Sequence, residues 1–114
     1  MSTLEERPWG TYQVLLDEPY TKVKKITVKP GERLSYQYHE KRAENWTVVL
    51  GTALITIDGV ELEITEGNSF FIPEEAKHRV KNESETDDLI FIEVQVGQYF
   101  GEDDIIRIED DYGR

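Results

Sequence analysis

The sequence predicts an all-β fold, a sandwich or barrel of the jelly-roll type. Two patterns and a count predict it. Short runs rich in β-branched and aromatic residues recur between turn signals, and helical periodicity is almost absent. TALITIDGVELEITEG sets two alternating runs on either side of Asp58-Gly59, a strong two-residue hairpin signal. The runs number about eight or nine, which suits a jelly-roll barrel.

Residues 1–10 read as an arm, punctuated by Pro8 and Gly10, in which Trp9, together with Tyr12 just beyond, points to packing rather than free chain. Residues 11–114 form the barrel domain with a C-terminal tail. TYQVLL is the first strand. KVKKITVK alternates, with Val23, Ile26 and Val28 as its apolar members, and Pro30-Gly31 closes it. LSYQYH is rich in β formers. The EKRA segment is short enough for a hairpin turn, with ENWTVVLG as the return strand. After the Asp58-Gly59 hairpin, SFFIP is a short strand stopped by Pro73, and HRVKN and LIFIEVQVG are strands. The tail segment GEDDIIRIE fits either a short helix or a last strand. No internal repeat, low-complexity stretch or linker divides the chain.

With 114 residues the chain is one domain. A chain of this size buries roughly two thirds of its unfolded surface and needs no covalent staple. Cysteine is absent, which excludes disulfides, a thiolate zinc site and a cysteine nucleophile. The formal net charge of −11 disfavours nucleic acid and anionic membrane surfaces. A small anionic ligand stays possible, because local cations can dominate within a pocket. The N-terminus has no signal-peptide pattern, and no apolar run reaches the ~18 residues of a membrane span. The expected compartment is the cytoplasm.

The stretch Gly31–Gly51 carries the chemistry. Gln37 and His39 are two residues apart, so on a strand both point to one face. Glu44, opening the return strand, can reach the same point. The second histidine of the chain, His78, lies in GNSFFIPEEAKHRVKN. Gln37, His39, Glu44 and His78 together offer an amide oxygen, two imidazoles and a carboxylate. That mixed set suits a divalent transition metal such as Zn, Mn, Fe, Co or Ni, without selecting among them. Either histidine taken alone reads more readily as a half-buried core residue. Trp46 shares the parity of Glu44 and is expected inward beside it. Glu93 shares parity with Phe91 and Gln95 and is the candidate catalytic base, although a solvated strand face competes as its reading.

The spacing of Gly31, Gln37-x-His39, Glu44 and Gly51 resembles the first cupin motif, with Gln37 where histidine is usual. Gly67, Pro73-x-Glu75, His78 and Asn82 resemble the second, with Glu75 where glycine is more usual. A closer resemblance runs from Arg7 to Arg114. RPWGTYQVL, KVKKITVKPGERLS, QYHEKRAENWTVVLGTALIT, FIPEEAKHRVKN and IEVQVGQYFGEDDIIRIEDDYGR look like the C-terminal domain of type II phosphomannose isomerases. Glu40, Lys41 and Asn45 stand where that family usually has histidine.

The resemblance implies a cupin-type jelly-roll barrel. It implies metal ligation by Gln37, His39, Glu44 and His78. The activity it implies is a metal-dependent interconversion of mannose 6-phosphate and fructose 6-phosphate, or metal and sugar binding without that turnover. A sugar phosphate needs cationic partners. Lys24, Arg42 and Arg107, in the segments that carry the resemblance, are the candidates for substrate binding. A homodimer is the implied assembly. An oxygen-using Fe(II) site built from two histidines and a carboxylate, and a metal-free barrel, stay open as alternatives.

Overall fold

Alternation of side chains along extended segments lets one face of each strand reach an interior while the other meets solvent. The computed structural model describes residues 4–113. It folds them into eleven strands, with no helix among the described residues. They are β1 (Leu4–Arg7), β2 (Gly10–Glu18), β3 (Thr21–Val28), β4 (Tyr36–Tyr38), β5 (Arg42–Leu50) and β6 (Ala53–Ile57), then β7 (Val60–Ile64), β8 (Ser69–Ile72), β9 (His78–Lys81), β10 (Leu89–Gly97) and β11 (Ile106–Glu109). Two sheets face each other, one in the order β1-β2-β3-β10-β5-β8 and the other β11-β4-β9-β6-β7. All pairings are antiparallel. No helix here is long and apolar enough to cross a membrane.

The strand count exceeds the eight or nine expected by β1 and β11. The arm pairs with β2 of its own chain from Leu4↔Gln13 to Arg7↔Gly10, and Trp9 enters the hydrophobic core. The tail resolves into a strand that pairs with β4, Arg107 lying opposite Gln37. The Asp58-Gly59 hairpin forms as read. Ile57 pairs with Val60, and the two turn residues have φ of 46° and 84°, the positive values that a type I′ turn requires.

The EKRA hairpin does not form. β4 belongs to one sheet and β5 to the other, so residues 39–41 are a crossover between sheets. Its shape is held from outside. The Asp104 carboxylate accepts the backbone N–H groups of Glu40 and Lys41 at 3.0 and 2.9 Å. Gly97 lets the end of β10 close in, since a Cβ there would lie 2.4 Å from the Lys41 carbonyl oxygen. Glu75 adopts a φ of 69° and donates its backbone N–H to the His39 carbonyl at 2.8 Å. That left-handed conformation is the physical reason a glycine suits this motif position.

On the three central strands of the larger sheet the interior changes character at one level. Val28 and Ile26 give way to Lys24, Leu89 and Phe91 to Glu93 and Gln95, and Val48 and Trp46 to Glu44 and Arg42. The rungs Phe91↔Ile26, Glu93↔Lys24, Glu93↔Trp46 and Gln95↔Glu44 align the change. One half of the barrel is an apolar core and the other is a polar chamber.

Candidate metal centre

The chamber assembles its ligands from both sheets. Gln37 and His78 are cross-strand partners on β4 and β9, Glu44 projects from β5, and His39 sits in the crossover. One ligand atom from each of His39, Glu44 and His78 lies within 4.8 Å of the others. All three residues are buried, and the imidazole centroids are 5.1 Å apart.

The two histidines are set up alike. His39 Nδ1–H donates to the Asp104 carbonyl at 2.7 Å, and His78 Nδ1–H donates to the Ala76 carbonyl at 2.8 Å. Each bond fixes a tautomer and leaves Nε2 as the unprotonated acceptor nitrogen, the arrangement a metal-ligating imidazole needs. His39 Nε2 lies 3.2 Å from Glu44 Oε2, and His78 Nε2 lies 3.8 Å from Glu44 Oε1. His78 Nε2 is buried without a hydrogen-bond partner. Burial, then the charge of Arg42, pulls His39 down to about 4, and burial lowers His78 as well. Both rings are therefore neutral donors at neutral pH. An orphaned inward nitrogen, two neutral imidazoles and a carboxylate fit a divalent transition ion. The amide oxygen of Gln37 faces the same chamber and accepts from the Ser35 hydroxyl at 2.9 Å.

The surroundings hold Glu44 in place. Arg42 Nε donates to Glu44 Oε2 at 2.8 Å, and Trp46 Nε1 donates to Glu44 Oε1 at 3.0 Å. The Arg42 Nη2 group reaches His39 Nε2 at 3.3 Å. Trp46 is inward, as its parity predicts. Glu93 is buried rather than solvated, because Phe91, Glu93 and Gln95 form the inner face of β10. Burial, then the nearby Glu44 charge, pushes the Glu93 carboxyl up to about 7. Its oxygens accept from Trp46 Nε1 at 3.2 Å and Gln95 Nε2 at 2.9 Å.

Of the cations, Lys24 and Arg42 are buried and Arg107 is exposed on β11. All three line one cavity of about 70 Å³ together with Arg7, Gln37 and Glu93. Sequence reading did not single out Asp104 or Glu102, which approach the chamber from more than sixty residues along the chain. Their signal was the acidic run GEDD, which in isolation looks like solvated loop.

Residues 2–110 match the family described as mannose-6-phosphate isomerase C-terminal. Mannose-1-phosphate guanylyltransferase of Klebsiella pneumoniae is 46% identical over 95% of the chain, which spans 23% of that relative. Alginate biosynthesis protein AlgA of Pseudomonas aeruginosa is 51% identical over 95% of the chain, which spans 22% of it. The chain thus covers less than a quarter of these curated relatives. An RmlC-like cupin from Shewanella frigidimarina superposes with a TM-score of 0.76 at 24% identity, over 90% of this chain and 87% of that one, and establishes the cupin fold.

These relatives correct the expected activity. They carry guanylyltransferase and alginate-biosynthesis names, and they are about four times as long as this chain. Interconversion of mannose 6-phosphate and fructose 6-phosphate is therefore not assigned to it.

Proposed function

Because the chain belongs to the mannose-6-phosphate isomerase C-terminal family, we propose that it is a metal-holding cupin unit that binds a phosphorylated sugar in bacterial polysaccharide-precursor synthesis. The observation that carries this reading is the buried His39–Glu44–His78 group, with His78 Nε2 turned inward and unpaired. These three residues would hold a divalent ion, with Gln37 as the fourth donor from the neighbouring strand. Such an ion supplies an electrophile for a sugar oxygen.

Lys24, Arg42 and Arg107 line the adjoining cavity and meet the anionic group of the ligand, as charge-assisted donors do. Glu93, on the same wall, balances Lys24 and Arg42 and is the group placed to hold a proton there. The name of the guanylyltransferase relative and the description of the family point to mannose 1-phosphate and mannose 6-phosphate as the ligands to try first.

Calorimetry tests the reading directly. Purified chain is titrated with Zn, Mn and Ni ions, and the loaded protein then with mannose 1-phosphate and mannose 6-phosphate. We expect one metal per chain and saturable binding of at least one sugar phosphate. His78→Ala should weaken the metal by more than the roughly 10–100-fold typical of losing an outer partner. A wild-type chain that takes up no metal, or a His78→Ala chain that binds it unchanged, rules the centre out.

A further inference from the structure

The cavity beside the metal centre gathers cations, yet one of them is already occupied by an acid from a distant loop. Lys24 is nearly buried, its side chain 5% exposed, and its Nζ donates to Glu102 Oε2 at 2.7 Å. The Glu102 side chain is 49% exposed and belongs to the segment between β10 and β11. Lys24 Nζ also sits 4.2 Å from the centroid of the Tyr12 ring. Arg42 lines the same cavity, and its Nη1 group is buried without a hydrogen-bond partner.

These facts describe an incompletely filled anion seat. A buried ammonium needs a partner, since leaving it bare in a low-dielectric site is costly. Glu102 supplies one oxygen to Lys24 and nothing to Arg42 Nη1. A tetrahedral oxyanion has enough oxygens for both. Half-exposed Glu102 can return to water with little desolvation to undo, while Lys24 cannot.

We infer that Glu102 is an internal stand-in for the ligand's phosphate: its carboxylate holds the seat on Lys24 that a phosphate group takes, and phosphate binding sends Glu102 out to solvent. This rests on reading the cavity as a sugar-phosphate site. It makes Glu102 a determinant of specificity. Weak anions do not displace a tethered carboxylate, whereas a phosphate gains a second charge and the unused Arg42 donor.

Inorganic phosphate is the probe. It is titrated calorimetrically into metal-free wild-type protein, Glu102→Gln and Lys24→Met, and mannose 1-phosphate is titrated into the metal-loaded forms. Glu102→Gln lies on a half-exposed loop and keeps the side-chain size. It should bind phosphate roughly tenfold tighter than wild type, as expected when a competing charge leaves a close pair. Lys24→Met should lose the binding. Equal phosphate affinity in wild type and Glu102→Gln overturns the inference, as does an absence of phosphate binding in both. If mannose 1-phosphate still binds in those cases, the reading of the site as a sugar-phosphate site survives. If it binds to no form, that reading falls too.

Discussion

The two halves of the barrel interior are built on the same strands and do opposite work. Towards one end of β3, β5 and β10, Val28, Ile26, Val48, Leu89 and Phe91 pack into a dry core. Two rungs further along, Lys24, Arg42, Glu44, Glu93 and Gln95 occupy equally buried positions. Apolar burial is favourable without geometric conditions. Buried polar groups are tolerable only when each is paired. Among the described residues, the chamber obeys that rule except at Arg42 Nη1, His78 Nε2 and Gln95 Oε1. The difference teaches where to look for function: the core has no unfinished bonds, and two of these three exceptions carry the metal and anion assignments proposed above.

The comparison is most strongly tested by exchanging the costs. Phe91→Ala, in the dry half, should destabilise the protein by about 3–5 kcal/mol in urea unfolding. The folded fraction should bind metal as wild type does. A loss of metal affinity in the native protein would show that the halves are not independent.

Asp104→Ala probes the chamber from outside. It removes the carboxylate that holds Glu40 and Lys41, and with it the placement of the crossover carrying His39. Metal affinity should fall about ten- to hundredfold, as when an outer partner of a ligand is lost. Stability should drop less than in Phe91→Ala. Unchanged metal affinity would mean the crossover holds its shape alone.

The smallest effect is on pH dependence, in protein kept metal-free with a chelator. His39 moves from 6.5 down to about 4 on folding, and His78 moves down too. Their contribution is present above pH 6.5 and is lost as pH falls towards 4. Glu93 moves the other way, from 4.5 up to about 7. Its contribution is present below pH 4.5 and is lost as pH rises through 7. Two imidazoles oppose one carboxyl, so stability should decline on acidification from pH 6.5 to 4.5. Glu93→Gln removes the opposing slope and should steepen that decline. Urea midpoints across this range measure both, and a shallower decline in Glu93→Gln would contradict the burial of Glu93.

Much of this architecture was legible in the residues. Strand periodicity marked nine of the eleven strands, and Asp58-Gly59 specified its turn because both residues tolerate positive φ. The motif spacing picked out His39, Glu44 and His78, which do converge. Other features were not legible for definite reasons. Parity showed that Glu93 and Gln95 share a face with Phe91, but a period of two does not say which face is inside. The interior side of β10 turned out to be the one with the charges.

By itself, then, the sequence determined the all-β class, the strand-by-strand alternation and the chemical types of the ligand set. These are local properties, written in side-chain period and turn residues. Only tertiary structure decided that β4 and β5 part into different sheets, that the tail becomes a strand, and that Asp104 and Glu102 reach the chamber. Those outcomes depend on pairings between segments far apart in the chain. Such pairings are selected by the joint burial of all the strands, which no single stretch encodes.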